Sequence, residues 1–314
     1  MYVGVDLGGT NIAAGIVDEK GDLKYQKSIP TKAKRNPKEI INDIRDLVLD
    51  LIKEYGLLKD EVEAIGIGIP GLADEDGNVI FCVNLGWKNV PLAISLNKQL
   101  GIPIYIDNDA TVAALAEYEC GVMMGAESGI LLTLGTGIGG GIILNGKVYS
   151  GYNGVGSEIG HMVVGNNFYD CNCGRNGCLE TFSSSTAIIR YTEKLLKESK
   201  NKGLIYKRIH CDSEELNAKL IFDCAKMGDE IAQQAVKRLV KYLSLGIINL
   251  INILDPQIIA LGGGVANAGK YLLDLVIEDV KKNQYYKELP IGKIVLARLG
   301  NEAGVIGAAM LGKQ

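Results

Sequence analysis

Apolar residues along the first third of the chain recur with two different periods. Tyr2–Leu7, Asn11–Val17 and Leu23–Ile29 are short apolar-rich runs bounded by turn residues, which predicts three strands; Asp18-Glu19-Lys20-Gly21-Asp22 joins the last two. Between residues 36 and 56 the period changes to 3.6. Ile40, Ile41, Ile44, Leu47, Val48, Leu51, Ile52 and Tyr55 form one stripe, with Asn36 placed as an N-cap, Pro37 in the first turn and Gly56 as the stop. Strands follow at Val62–Ile69, near Val79–Val83 and at Ile102–Ile106, with a helix from Pro91 to Leu100 and another from Ala110 to Cys120. Strands alternating with helices predict an α/β fold.

The second half opens on strands Gly129–Leu134 and Gly140–Leu144. A Gly- and Cys-rich stretch spans 150 to 180, and helices are expected near 183–199, 213–227 and 229–253. A last α/β unit reads as strand Pro256–Leu261, helix Lys270–Lys281 and strand Lys293–Ala297. The final helix, Asn301–Leu311, has a face of small residues: Ala303, Gly304, Gly307 and Ala308.

The 314 residues suffice for two domains, and a hydrophobic fraction of 47% supplies their cores. A formal net charge of −4 counts against nucleic acid or an anionic membrane as partner. The basic cluster Lys32-Ala33-Lys34-Arg35 falls in a loop. The opening residues read as a strand rather than a leader, and the longest apolar run, Tyr242–Leu254, is too short for a span and contains Asn249 and Asn252. A cytoplasmic chain with seven cysteines points to metal binding rather than disulfides.

Two segments repeat one pattern, strand, Gly/Thr turn, strand: "GVDLGGTNIAAGIV" and "LLTLGTGIGGGIIL". Glycine permits positive φ and close approach of a ligand to the main chain, and successive N–H groups then form an anion nest. Gly8, Gly9, Thr10 and Asn11 in one turn, with Gly135, Thr136 and Gly137 in the other, are therefore candidates to grip a polyphosphate; each turn alone also reads as an ordinary hairpin. Gly135-Thr136-Gly137-Ile138-Gly139-Gly140 has dinucleotide-fingerprint spacing, but a strand follows where that motif needs a helix. Gly264 to Lys270 approaches a P-loop, but Tyr271 stands where a Ser or Thr must bind Mg²⁺. What remains is a third glycine-rich bend, Gly262-Gly263-Gly264, suited to pass close to a base or ribose. Asp6, just before the first turn, can orient Mg²⁺-bound water or simply form the turn.

His161, Cys171, Cys173 and Cys178 are four N/S donors in one loop, which suits tetrahedral, structural zinc; Gly174 and Gly177 permit a tight wrap between thiolates. The second imidazole nitrogen remains to donate outward, and Glu158 and Glu180 flank the donors, a set suited to sugar hydroxyls. Asp107-Asn108-Asp109 lies at a strand-to-helix junction. That is an ordinary place for an N-cap, and also the place where ligands meet open α/β sheets. Spacing alone does not choose between Asp107 and Asp109 as a proton acceptor.

"DLGGTN", "GIGIPG", "IDNDA", "LTLGTGIGGGI", "EIGH", "CNCGRNGCLE" and "LGGGV", in this order over nearly the whole chain, resemble the ROK family of sugar kinases and sugar-responsive repressors. "NLGWKNVPL" and the three-cysteine loop make it most similar to that family's bacterial ATP-dependent glucokinases. The resemblance implies an actin-like, hexokinase-type (ribonuclease H-like) fold of two α/β domains around a cleft, a small one from 1–109 with 301–314 and a large one from 110–300 carrying the zinc loop. It implies ATP, Mg²⁺ and structural zinc as cofactors, a hexose substrate and a homodimer. It assigns Asp109 as catalytic base, and Asn108, Gly139, Glu158, His161 and Glu180 as sugar contacts. It places Thr10 and Thr136 in the phosphate turns and Gly262–Gly264 near adenosine. Glucose phosphorylated at its 6-hydroxyl is the expected reaction, with N-acetylmannosamine, N-acetylglucosamine or fructose as alternative substrates. A sugar-sensing regulator would carry a DNA-binding helix-turn-helix before the first strand, and a general actin-like ATPase would need no sugar-binding cluster. Cys82, Cys120, Cys211, Cys224 and His210 receive no role.

Overall fold

The computed structural model describes residues 1–200 and 203–313. They form two compact units, and β9 and β10 below contribute residues to both. The first comprises Met1–Leu131, Gly141–Ser157 and Ala297–Gln314. It contains β1 (Tyr2–Leu7), β2 (Asn11–Val17), β3 (Leu23–Pro30), α1 (Pro37–Tyr55), β4 (Ala64–Ile69), β5 (Leu72–Ala73), β6 (Val79–Cys82), β7 (Trp87–Val90), α2 (Leu92–Leu100), β8 (Ile104–Asn108) and α3 (Asp109–Cys120). β9 (Ser128–Leu134), β10 (Ile138–Leu144) and β11 (Lys147–Val148) follow. The second unit, Leu132–Gly140 with Glu158–Leu296, contains α4 (Glu180–Ser183), α5 (Ser185–Glu198), α6 (Leu204–His210), α7 (Ala218–Lys226), α8 (Glu230–Leu254), β12 (Ile258–Gly262), α9 (Lys270–Asn283) and β13 (Lys293–Leu296). The chain returns to the first unit for α10 (Ala303–Met310).

The first sheet has the order β3-β2-β1-β4-β8, with β1, β4 and β8 parallel and β2 and β3 antiparallel additions. Val3, Val5 and Leu7 point to one face, where the α1 stripe packs with them in a single core. The capping box at Asn36 and Glu39 and the left-handed Gly56 end α1 where the sequence places its boundaries. Tyr55 is the exception in the stripe: it is 40% exposed and stacks on Tyr25 at the surface.

On the opposite face α10 packs against β1, β2, β4 and α3. Gly15, Gly4 and Gly66 lie in one register row across β2, β1 and β4. A Cβ at Gly4 would overlap the Val305 carbonyl oxygen, and one at Gly66 would overlap that of Ala308. Gly307 lies equally tight against the Val112 carbonyl of α3. None of these four glycines has a positive φ. They are required for space rather than conformation, and the small-residue face of the last helix serves as a backbone-to-backbone seat.

A second five-stranded sheet has the order β11-β10-β9-β12-β13. The third, β5-β6-β7, is antiparallel and was only partly foreseen: β6 matches the strand expected near Val79, while β5 has two residues and β7 alternates too briefly to signal itself. The expected helix 213–227 begins at Ala218, where Asn217 caps it, and α6 was not anticipated. The strand expected at 102–106 runs two residues later, which carries Asp107 and Asn108 into β8. All seven cysteines are free, and no helix among the described residues is long and apolar enough to cross a membrane.

If α10 sits on the sheet through glycine alone, Gly66→Ala should destabilise the protein by about 1–3 kcal/mol or more, because the obstructing atom is backbone and cannot rotate away. Gly135→Ala meets no atom within 4 Å and should change stability by less than about 0.5 kcal/mol. Urea midpoints of the two variants check the contrast.

Candidate active site

In the first unit, register brings the candidates to the carboxyl edge of one sheet. Asp6 pairs with Gly68, and Gly68 with Asp107, so the two carboxylates flank a glycine in one row. One residue on from Asp6, β1 turns through Gly8–Asn11, held by Gly8 N–H donating to the Asn11 carbonyl at 3.0 Å. Thr31 clamps this turn from outside: its N–H donates to Thr10 O at 2.8 Å and its hydroxyl to Gly8 O at 2.7 Å. Gly304 makes room for Asp6, since a Cβ there would come within 2.7 Å of Oδ2. Burial alone pushes the Asp6 pKa up.

Asn108 caps α3: its Oδ1 accepts from Ala110 N–H at 2.9 Å and Thr111 N–H at 3.4 Å, while Nδ2 donates to Gly71 O at 3.1 Å. Asp109, the first residue of α3, is exposed, and its Oδ1 accepts from Ala110 N–H at 2.8 Å. Asp107 differs. Its Oδ1 accepts from the Asn108 N–H at 2.7 Å, and burial raises its pKa against the lowering effect of hydrogen bonds from Asn108 and the Ser150 hydroxyl.

In the second unit the turn Gly135–Gly137 is tied to the start of α5. Ser185 N–H donates to Gly135 O at 2.9 Å and the Thr186 hydroxyl to Thr136 O at 2.8 Å. Neither residue was singled out in the sequence, although the run Ser183–Thr186 before a helix signals such contacts. Gly263, with φ +82°, presses on the Leu134 backbone, which places the third glycine bend beside this turn. Positive φ was one of two reasons expected for the first two turns; Gly8, Gly9, Gly135 and Gly137 all lack it. At Gly137 a Cβ would press on Glu180 Oε2.

The donor atoms of His161, Cys171, Cys173 and Cys178 all lie within 4.8 Å of one another. Cys173 Sγ is 3.6 Å from Cys178 Sγ, and Cys171 Sγ is 3.6 Å from His161 Nδ1. A tetrahedron with metal–sulfur bonds of about 2.3 Å has edges of roughly 3.8 Å, so these donors are already spaced for one ion. Gly174 (φ +87°) and Gly177 (φ +93°) supply the left-handed turns the wrap requires. The Arg175 backbone N–H pulls the Cys173 pKa down to about 6, whereas burial raises Cys171 and Cys178. Among the described residues no other group of three or more such donors forms.

The same loop gathers carboxylates. His161 Nε2 is 3.9 Å from Glu158 Oε2, and Nδ1 is 3.8 Å from Glu180 Oε1. The Cys171 thiol donates to Glu180 Oε1 at 2.8 Å. Glu180 thus touches the metal donors with one oxygen and the Gly137 turn with the other. The short turn Ile159–His161 is seated by Gly160, whose Cβ would overlap the Ile138 carbonyl. Gly139 lies in β10, one residue beyond Ile138.

The ROK family model matches residues 2–314. The chain belongs to the ROK family. It is 37% identical to a glucokinase of Halalkalibacterium halodurans over 100% of this chain and 95% of that one. With a glucokinase of Thermotoga maritima it shares 35% identity over 99% and 97% of the two chains. Among solved structures, a ROK family glucokinase from Streptomyces griseus in complex with glucose and AMPPNP superposes with a TM-score of 0.82. That protein is 33% identical, and the match covers 100% of this chain and 99% of the other. The fold of this ROK protein is accordingly the actin-like, hexokinase-type α/β fold.

Asp6 gives a test of its setting. A carboxyl whose pKa is raised on folding favours the folded state when protonated; that advantage is present below the unfolded pKa and is lost as pH rises through the folded one. Asp6→Asn should therefore be more stable than the native chain at pH 8, with the difference shrinking toward pH 4. Thermal melts across that range measure it.

Proposed function

We propose that this ROK protein transfers the γ-phosphoryl group of ATP to the 6-hydroxyl of glucose. The observation that carries the proposal is the cluster of Glu158, His161 and Glu180 on the four-donor centre, with Glu180 also abutting the Gly137 turn. A histidine and two carboxylates offer both donors and acceptors, as vicinal sugar hydroxyls require. The Streptomyces griseus relative binds glucose and AMPPNP, which supports the same pair of ligands here.

Asp109 is the general base. It is exposed at a strand's carboxyl end, whereas Asp107 is half-buried in β8. It accepts the 6-hydroxyl proton as that oxygen attacks the γ-phosphorus in line. Asn108 and Gly139 complete the sugar contacts. Phosphoryl transfer depends mainly on positioning and charge stabilisation. The Gly8–Asn11 and Gly135–Gly137 turns contribute backbone N–H groups to the phosphates, and Gly262–Gly264 lies along adenosine. Mg²⁺ would supply charge neutralisation when bound, and Asp6 would be the residue to hold it through water. Zinc on His161, Cys171, Cys173 and Cys178 braces the loop. A cytoplasmic location and a homodimeric state are carried over from the family resemblance.

Asp109→Asn should lower kcat by about 10²–10⁴-fold while glucose binding by calorimetry persists. Near-normal turnover in that variant removes Asp109 from the role. A coupled assay with glucose, N-acetylglucosamine, N-acetylmannosamine, fructose and no sugar tests the substrate, and ATP turnover indifferent to sugar overturns the proposal. Purified chain should contain about one zinc per molecule by elemental analysis, as the single four-donor site implies. Cys178→Ser should abolish that stoichiometry.

A further inference from the structure

Arg238, on α8, is half-buried, yet among the described residues no carboxylate pairs with it. Its guanidinium sits instead among aromatic rings, 4.4 Å from the centroid of Tyr191, 4.7 Å from Phe182, 5.4 Å from Tyr242 and 5.7 Å from Phe168. Cation–π attraction offsets part of the desolvation, but a guanidinium without a counter-ion remains a costly choice for such a site. Burial holds its pKa below the ordinary arginine value. Among the described residues it makes one hydrogen bond, donating to Asn167 Oδ1 at 2.7 Å.

Arginine has no acceptor, so it faces the oxygen of the Asn167 amide, which the Phe168 N–H also approaches, donating at 2.9 Å. The Asn167 NH₂ is then obliged to point the other way, where it donates to the Thr181 carbonyl at 2.7 Å. Tyr169 Oη donates to the same carbonyl at 2.8 Å. Thr181 belongs to α4, a helix of four residues that begins with Glu180. So short a helix holds itself poorly, and side-chain donors to its carbonyls carry much of its definition. The Asn167 backbone extends the same support to the cysteine loop, donating to Asn176 Oδ1 at 2.7 Å and accepting from its Nδ2 at 3.1 Å.

We propose that Arg238 is a positioning residue for sugar binding: from its aromatic cage it orients the Asn167 amide, which with Tyr169 holds the Thr181 carbonyl and so sets Glu180. The inference rests on the reading of Glu180 as a sugar contact. Arg238 touches neither sugar nor nucleotide.

The experiment measures hexose and ATP KM, hexose binding by calorimetry, zinc content and melting temperature for the full chain and four variants. Arg238→Met fills the cage without a donor, and Arg238→Lys keeps the charge without the planar fork. Asn167→Asp still accepts from Arg238 but cannot donate to Thr181. The fourth variant combines Arg238→Met with Asn167→Asp. Arg238→Met and Asn167→Asp should each raise hexose KM about three- to tenfold, the worth of one hydrogen bond, with ATP KM changed less than about twofold and zinc retained. Arg238→Lys should fall between them and the native chain, and the double variant should be no worse than the poorer single. Unchanged hexose KM in a folded variant overturns the proposal, as do equal rises in both KM values or additive losses in the double variant. If Arg238→Met does not fold, Arg238→Lys and Asn167→Asp decide the matter. A native chain that needs no hexose overturns the sugar-kinase reading and this inference with it; a sugar-dependent native chain with indifferent variants overturns the inference alone.

Discussion

The first unit depends on one steric constraint: α10 lies on the sheet at backbone distance. The row Gly15–Gly4–Gly66 forms a trough with no side chains, and the carbonyls of Val305 and Ala308 descend into it. Gly307 repeats the device toward α3. Backbone atoms cannot yield as a flexible side chain does, so the helix has one seat. The consequences reach the sheet's carboxyl edge. Two residues beyond Gly4 on the same face is Asp6, and Gly304 of the seated helix leaves room for its carboxylate. α3, wedged against the same helix, begins with Asp109. Buried Glu117, near the other end of α3, accepts from the backbone N–H groups of Val122, Arg298 and Leu299 and secures the approach to α10.

The second unit is organised by chemistry more than by sterics. Three thiols and an imidazole converge where the loop has few repeating backbone hydrogen bonds, and an ion at their centre would replace the missing core. Glu180 joins this knot to the Gly135–Gly137 turn, and α5 grips that turn through Ser185 and Thr186. The sugar-contact candidates and the Gly135–Gly137 turn thereby share one support. Arg238 and its aromatic cage back the same carboxylate from α8, so Glu180 is approached by donor groups from the loop and bonded through its own short helix.

The α1 stripe, its caps and the paired hairpin turns were legible in the sequence because each is a local pattern with a local cause. The convergence of His161, Cys171, Cys173 and Cys178 was legible for a similar reason: four N/S donors within one loop have few other uses. Tyr55 escaped burial because it lies at the last turn, where it stacks on Tyr25 of the edge strand β3 at the surface. The β5-β6-β7 sheet was largely illegible, since strands of two and four residues establish no period. α6 was missed for the same shortness. Of the two reasons expected for the glycines of the Gly8–Asn11 and Gly135–Gly137 turns, positive φ and close approach of a ligand, the first fails. At Gly137 the need for space comes from an atom distant in sequence, Glu180 Oε2.

By itself the sequence determined the α/β character, the family-specific motifs and the candidate ligands, because these rest on residue types and short-range spacing. Only the tertiary structure decided that Gly4, Gly15 and Gly66 share a row, that Asp107 is turned aside while Asp109 faces outward, and that Arg238 stands behind Asn167. Strand register and helix seating bring together atoms separated by tens to hundreds of positions. The composition of such a neighbourhood cannot be read from any window of the chain, since the cost of a methyl group or an unpaired charge is set by what lies across from it.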